Sequence, residues 1–244
     1  MLAVIGGSGL YELNHFALER EAHLETEYGD ASSAVQIGQW HGKEIAFLAR
    51  HGAQHHLAPH EVNYRANIQV LSDLGVDEIV AINAVGGINP NLSTGTLVVP
   101  DQLIDYTSGR LQSFFTDGTT GGFDQRAHID FSYPFDETLR QVILQAAQKA
   151  NIQIVDAGVT AVTQGPRLET AAEIRRLAGD GCDLVGMTSM PEAGLAREKA
   201  IAYACIALVV NPAAGLSDEE ITIDDIHRVM KKGIGQILKI VELL

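Results

Sequence analysis

Short apolar runs alternate along this chain with segments of helical periodicity, and several of the runs are apolar on both faces. Strands of this kind are typical of a sheet that helices cover on each side. The chain is therefore predicted to be α/β, a single domain over residues 1–244 with a mixed, largely parallel central sheet flanked by helices. The predicted strands are Leu2–Ile5, Ile45–Leu48, Ile79–Ile82, Leu97–Val99, Ile154–Val162, Leu184–Met187 and Ala204–Val210.

Helical patterns lie between these strands, at Val62–Leu74, Glu137–Ala150, Thr170–Ala178 and Pro191–Ala200. A final helix is predicted after Thr222, which together with Asp225 resembles a capping box. Its apolar residues recur at spacings of three and four and form one face. Tyr106–Pro134, with a GTTGG tract at Gly118–Gly122, is predicted to be a long loop, and loops of this length are usually functional or mobile.

The charge balance limits the classes of partner. The chain has 17 Lys and Arg against 31 Asp and Glu, a formal net charge of −14. Such a surface repels nucleic acid and anionic membranes, so neither is expected as a partner. The chain shows neither a signal-peptide pattern nor an apolar run of about 18 residues, and we expect a cytoplasmic protein. Cys182 and Cys205 are expected to be buried thiols.

Two glycine-rich segments follow predicted strands. Gly6-Gly7-Ser8-Gly9 follows the first strand, and Asn83-Ala84-Val85-Gly86-Gly87 follows the strand Ile79–Ile82. Backbone N–H groups of such turns can contact an anion, although simple turns also use glycine. No lysine follows as in a P-loop, and Glu12 occupies a glycine position of the dinucleotide-binding pattern.

Arg50-His51 follows an apolar run, and His55, His56 and His60 come next. An arginine at a strand end suits a phosphate or a carboxylate. The histidines lack an HExxH pattern and intervening acidic ligands, so no metal is expected.

Three later segments carry polar groups. Thr163–Thr170 contains a Gly-Pro turn before Glu169, which either favours a helix N-terminus or contacts a ligand. Thr188 or Ser189 could cap a helix or bind a ligand. Asn211 ends a buried strand as a turn residue or as a group that recognises a base.

These segments together resemble the trimeric nucleoside phosphorylase family, which includes methylthioadenosine phosphorylase and purine nucleoside phosphorylase. The resemblance covers most of the chain, and the matching segments keep the family's order. They are GGSGL at Gly6–Leu10, RHGAQH at Arg50–His55, PHEVNYRANI at Pro59–Ile68, NAVGGI at Asn83–Ile88, GPRLET at Gly165–Thr170 and GMTSMPE at Gly186–Glu192.

The resemblance implies a role for each matching position. Phosphate would be held by Ser8, Arg50, His51, the backbone at Ala84, and Thr188. Met187 would contact the ribose, Asn211 the purine N7 side and Glu169 the N1 edge, with Leu168 and Ala213 also in the substrate site. Asn211, Glu169 and Ser8 are expected to act in catalysis. The His128-Ile129 segment would reach into a neighbouring subunit's site, which implies a homotrimer.

Substrate preference is predicted from two ends of the nucleoside. Adenine-specific relatives carry an aspartate where this chain has Asn211, and an asparagine can donate to the carbonyl oxygen of a 6-oxopurine. Glu169 can accept from N1–H, which adenine lacks. At the other end, Ile223 and Ile226, with His55, Pro59 and Val62, would suit a 5′-methylthio group, although the two isoleucines also fit a core-facing helix pattern.

The expected reaction is therefore phosphorolysis of S-methyl-5′-thioinosine to hypoxanthine and 5-methylthioribose 1-phosphate. Inorganic phosphate is the co-substrate, and neither a metal nor an organic cofactor is expected. The alternatives are the phosphorolysis of methylthioadenosine or of inosine and guanosine. A hydrolytic nucleosidase would leave the phosphate residues without a purpose. A nucleoside-binding protein without turnover is the alternative outside the enzymes.

Overall fold

A computed structural model describes residues 1–7, 16–115 and 124–244 of the chain. Its strands belong to one ten-stranded mixed sheet within those ranges. The strands are β1 (Leu2–Gly6), β2 (Ala17–Ala22), β3 (Val35–Trp40), β4 (Lys43–Ala49), β5 (Glu78–Gly87), β6 (Leu97–Val98), β7 (Gln102–Asp105), β8 (Val159–Val162), β9 (Leu184–Gly186) and β10 (Ala202–Pro212).

The main sheet path runs β2-β3-β4-β1-β5-β9-β8-β7, while β10 lies along the other edge of β5 and also pairs with β6. The pairs around β1, β4, β5 and β10 are parallel, as are β7 with β8 and β8 with β9. The outer pairs β2–β3 and β3–β4 are antiparallel, as are β5–β9 and β6–β10. The predicted mixed, largely parallel α/β sheet is confirmed.

Five α-helices accompany the sheet in the described ranges: α1 (Tyr64–Asp73), α2 (Glu137–Lys149), α3 (Ala171–Gly179), α4 (Ser189–Glu198) and α5 (Ile223–Val241). Residues of β1 alternate between two buried clusters, with Ala3 and Ile5 in one and Val4 in the other. The first cluster includes residues of α1 and α4, and the second includes residues of α2 and α5. Helices thus cover both faces of the central strands, which explains why these strands are apolar throughout.

Polar side chains fix where most of the helices begin. Asn63, Asp136 and Thr170 each accept a hydrogen bond from a backbone N–H in the first turn of α1, α2 and α3. Thr222 accepts from the Asp225 N–H at the start of α5, as predicted. The second half of the predicted box differs, because the Asp225 carboxylate accepts from the Thr222 hydroxyl. The full capping box belongs to Thr170 and Glu173.

Gly233 lets α5 approach the sheet closely. A Cβ at this position would lie 2.4 Å from Leu208 Cδ2 of β10. The glycine weakens the isolated helix, but a larger residue would push α5 away from the sheet.

The predicted strand pattern needs three corrections. β5 continues through the predicted turn at Asn83–Gly87, because β10 pairs with it as far as Gly87. The predicted strand Ile154–Val162 is a strand only from Val159, since Asp101 binds the Gly158 N–H and the chain before it makes one isolated bridge, at Val155. The strands β2, β3 and β7 had not been predicted.

The long segment Tyr106–Pro134 has neither a strand nor an α-helix in its described residues, and Gln125–Ala127 form a short 3-10 helix. The GTTGG tract at Gly118–Gly122 lies outside the described residues. Among the helices that the structure describes, none is long and apolar enough to span a membrane.

Candidate active site

A cavity of about 400 Å³ lies at the carboxyl ends of the central parallel strands. This is where ligands bind in open α/β sheets. The volume suits a small organic ligand. Its described lining contains these predicted site residues: Arg50, His51, His55, Pro59, Ala84, Leu168, Glu169, Met187, Thr188, Asn211, Ala213, Ile223 and Ile226.

The sheet opens beside this cavity. β1 pairs with β5 as far as Ala81, and β9 pairs with β5 from Gly86. Since β10 occupies the opposite edge of β5, both partners lie on one edge and leave a gap between them. The Ile82 carbonyl in this gap accepts a hydrogen bond from Arg50 at 3.2 Å. The Arg50 side chain thus takes the place of a neighbouring strand here, so its charged guanidinium lies at this edge of β5.

Arg50 is held in a buried polar network. Its Nε and NH2 groups donate to the two carboxylate oxygens of Glu192, at 2.7 and 2.8 Å. Tyr203 also donates to Glu192, at 2.8 Å. Arg50 is 1% exposed and Glu192 is fully buried. Burial opposes the charged form of Arg50, but the Glu192 carboxylate outweighs it and raises the pKa of the guanidinium.

This network orients Arg50 and leaves part of it available. A guanidinium has five N–H donors. Within the part of the chain that the structure describes, Glu192 and the Ile82 carbonyl take three of them. Two remain for a ligand in the cavity that Arg50 lines.

Asn83 links β5 to the start of α4. Its amide donates to Ser189 at 2.9 Å, and its carbonyl oxygen accepts from the Thr188 hydroxyl at 3.2 Å. Thr188 occupies the N-cap position of α4 without capping the helix. Its hydroxyl is therefore fixed beside β5, and Thr188 lines the same cavity as the exposed Ala84.

His51 is neutral at physiological pH. Burial and the neighbouring Arg50 lower the pKa of its imidazole to about 4. Its Nδ1 lies 2.9 Å from the Leu57 carbonyl oxygen, which can only accept, so Nδ1 carries the proton. Nε2 is then an acceptor, and this side of the ring lies near Gly7.

Glu169 and Asn211 lie on the same cavity. The Thr163 hydroxyl donates to Glu169 Oε1 at 2.6 Å. Asn211 lies at a bulge near the end of β10, and its amide donates to the Pro212 carbonyl at 2.6 Å. An amide nitrogen has two hydrogens, so one remains for a ligand. Leu168, beside Glu169, is 43% exposed.

Met187 is positioned by two features. Gly165 has φ +62°, a conformation that favours glycine, and a Cβ there would lie 2.5 Å from Met187 Sδ. Arg110 donates to the carbonyls of Met187 and Met190 at 2.8 and 2.6 Å, and to the Gln164 carbonyl at 2.9 Å. The guanidinium thereby ties the long segment to two chain segments at the site.

Ile223 and Ile226 line the same cavity as His55 and Pro59. Ile223 is 65% exposed. His227, also on α5, lines the same region. Burial and the nearby His227 lower the pKa of His55. This part of the lining therefore combines apolar side chains with two imidazoles.

Three predicted site residues are not among the described lining. Ser8 lies outside the described residues. Val62, predicted to help form the thiomethyl pocket, is 7% exposed and packs in the hydrophobic core. His128 follows the short 3-10 helix and does not line the cavity of its own chain.

A search over the described residues finds no group of three or more His, Cys, Asp or Glu that could hold a metal ion.

Comparison with known proteins identifies the family. The model of the phosphorylase superfamily matches residues 1–244. The chain belongs to the phosphorylase superfamily. It is 51% identical over 235 residues to a probable S-methyl-5′-thioinosine phosphorylase of Pseudomonas syringae pv. tomato, covering 96% of this chain and 94% of that protein.

Two further members extend the comparison. A 6-oxopurine nucleoside phosphorylase of Pyrococcus furiosus is 41% identical, over 98% of this chain and 90% of that protein. A methylthioadenosine phosphorylase from Schistosoma mansoni, solved in complex with adenine, superposes with a TM-score of 0.93 at 31% identity, covering 99% of this chain and 89% of that one. The predicted nucleoside phosphorylase fold is confirmed, and the chain is an enzyme of the pentosyltransferase type.

Sequence reasoning had not assigned a function to three residues of this phosphorylase. The sequence could have indicated the role of Glu192, since a carboxylate in an apolar helix requires a cationic partner. The sequence could also have indicated that His227 lies at the site, because it lies four residues after Ile223 and so shares its helix face. No sequence pattern indicated the role of Arg110, because the backbone carbonyls to which it donates are distant in sequence.

Proposed function

We propose that this phosphorylase converts S-methyl-5′-thioinosine and inorganic phosphate to hypoxanthine and 5-methylthioribose 1-phosphate, without a metal or an organic cofactor. One observation carries the proposal: a single cavity is lined by Arg50, His51, Ala84 and Thr188, which would form a phosphate end, and by Leu168, Glu169, Asn211 and Ala213, which would form a base end. The relatives named for S-methyl-5′-thioinosine support the choice of substrate.

The phosphate end would place the attacking oxygen and balance its charge. Arg50 is oriented by Glu192 and retains two N–H donors for the anion. His51 would accept through Nε2, and hydrogen phosphate has one O–H group to donate to it. Ser8 would add a hydroxyl. A phosphate fixed beneath C1′ opposes the positive charge that develops on the sugar as the C–N bond breaks.

The base end would stabilise the leaving purine. Asn211 would donate its second amide N–H to the base as negative charge builds on it, and Glu169 would accept from N1–H. An asparagine at this position suits the carbonyl oxygen of a 6-oxopurine, which an ionised aspartate would repel. Met187 would pack against the ribose.

The sugar end favours a methylthio group through Ile223, Ile226 and Pro59. A second candidate is the phosphorolysis of 6-oxopurine nucleosides that carry a 5′-hydroxyl. The observation in its favour is the pair of imidazoles at this end, His55 and His227, either of which can hydrogen-bond a hydroxyl.

We further propose a cytoplasmic homotrimer in which His128 completes the site of a neighbouring subunit. The support is the resemblance of the His128-Ile129 segment to the part of the family with this role. Light scattering during size-exclusion chromatography measures the oligomer directly, and a monomeric active enzyme would overturn this part of the proposal.

Product analysis tests the function. The enzyme is incubated with methylthioinosine, methylthioadenosine or inosine, with and without phosphate, and the released bases are separated by chromatography. We expect hypoxanthine from methylthioinosine as the dominant product, only when phosphate is present. Base release without phosphate would overturn the phosphorylase mechanism, and preferential release of adenine would overturn the base assignment.

A further inference from the structure

Thr163 contacts the base end from outside the substrate cavity. It directly follows β8 and lines a second cavity of about 290 Å³, which shares Glu169 with the first. Thr163 is not among the described residues that line the substrate cavity. It therefore contacts Glu169 without being placed to touch the substrate.

The Thr163 hydroxyl has one strong acceptor. Glu169 Oε1 lies 2.6 Å from its oxygen, whereas the Gly186 carbonyl lies 3.4 Å away. A short bond to a carboxylate is the stronger of the two. The backbone on either side is fixed, because the Thr163 N–H donates to Gly186 at 2.8 Å and its carbonyl accepts from Arg110 at 3.3 Å.

This hydrogen bond affects which purine Glu169 can recognise. The bond fixes the direction of the Glu169 carboxylate, whose oxygens accept hydrogen bonds. The N1–H of a 6-oxopurine supplies the hydrogen that such an acceptor needs. The N1 of a 6-aminopurine has a lone pair instead, so it has no hydrogen to give to this acceptor.

We propose that Thr163 is a positioning residue that determines base specificity, by holding Glu169 as an oriented acceptor for a protonated N1. The proposal rests on the proposed function, in which Glu169 faces the N1 edge. It assigns part of the discrimination between 6-oxopurines and 6-aminopurines to a residue that touches neither.

Thr163→Val removes the hydroxyl and nearly conserves the volume, and Thr163→Ser is the matched control that retains it. We expect Thr163→Val to lower kcat/KM for methylthioinosine about tenfold, the effect of losing a hydrogen bond to a charged group. The value for methylthioadenosine should change less than about twofold, since that substrate has no N1–H to donate to the oriented carboxylate. Thr163→Ser should keep the wild-type ratio. Thr163→Ala also lacks the hydroxyl and should move the ratio in the same direction.

A double-mutant cycle with Glu169→Gln separates this role from a general structural one. In the Gln background, Thr163→Val should change kcat/KM for methylthioinosine by less than about twofold, because the carboxylate is absent. An unchanged substrate ratio in Thr163→Val, or an equal loss in both backgrounds, would overturn the inference while the proposed function stands. A wild-type enzyme that prefers methylthioadenosine would instead overturn the proposed function.

Discussion

The proposed phosphate end and the proposed base end of the cavity are built in different ways. At the proposed phosphate end, Arg50, Glu192 and Asn83 are buried. Arg50 donates to the Ile82 carbonyl of β5, and Asn83 donates to Ser189 at the start of α4. At the base end, Leu168 is largely exposed and Asn211 is bonded to its own neighbour, Pro212. The first end is preorganised by the sheet, whereas the second depends on side chains in the loop before α3 and at the end of β10.

This difference indicates how specificity can vary within one fold. A buried network tolerates little change, since any missing partner leaves a polar group unsatisfied. Side chains on a loop can be replaced without disturbing the sheet. We therefore expect changes at the phosphate end to reduce stability and turnover together, and changes at the base or sugar end to alter the choice of substrate.

The largest effect is expected from Glu192→Gln. It leaves the buried Arg50 without its counter-charge, and breaking a buried ion pair in this way costs about 3 kcal/mol of unfolding free energy. Denaturant unfolding at one fixed protein concentration measures the loss. The matched control is Glu21→Gln on the exposed strand β2, where the change should stay within about 0.5 kcal/mol. Equal losses at both positions would contradict the importance of the buried network.

Asn211→Asp tests the base end. The ratio of kcat/KM for methylthioinosine to that for methylthioadenosine should fall about tenfold or more, because a carboxylate repels the 6-oxo group. The unfolding free energy should change far less than in Glu192→Gln, since Asn211 is only half-buried. A ratio equal to that of the wild type would show that Asn211 does not recognise the base.

The smallest effect is expected at the sugar end. Ile223→Ala removes apolar surface from a side chain that is 65% exposed, so the preference for methylthioinosine over inosine should fall about threefold. Steady-state kinetics on both nucleosides measure it, with the exposed Leu243→Ala as the control at the far end of α5. A preference that rises in Ile223→Ala would contradict the assignment of a methylthio pocket.

The sequence predicts the centre of the fold better than its edges. The central residues of β1, β4 and β10, Ala3–Ile5, Ile45–Ala49 and Ala204–Val210, are buried and continuously apolar, which is the signal that a search for apolar runs detects. β2 has the sequence ALEREA and is exposed over five of its six residues, so neither hydrophobicity nor alternation marks it. Its partner β3 holds it in the sheet through long-range pairing, which has no local signal.

The site shows the same division. The residues that line the cavity were largely predicted, because they lie in motifs at strand ends. The groups that orient them were not, since contacts such as Arg50 with Glu192 and Thr163 with Glu169 depend on tertiary structure. Asn83 belongs to both groups, since it is a motif residue whose partners Thr188 and Ser189 lie more than a hundred residues later.

Internal competition between methylthioinosine and methylthioadenosine directly tests the proposed preference for a 6-oxopurine over a 6-aminopurine. Both nucleosides are supplied at equal concentration to the wild-type enzyme with phosphate, and the initial rates of hypoxanthine and adenine release give the ratio of the two specificity constants. We expect a ratio of about tenfold or more in favour of hypoxanthine, from Asn211 and Glu169 acting together. A ratio near one, or an excess of adenine, would contradict it.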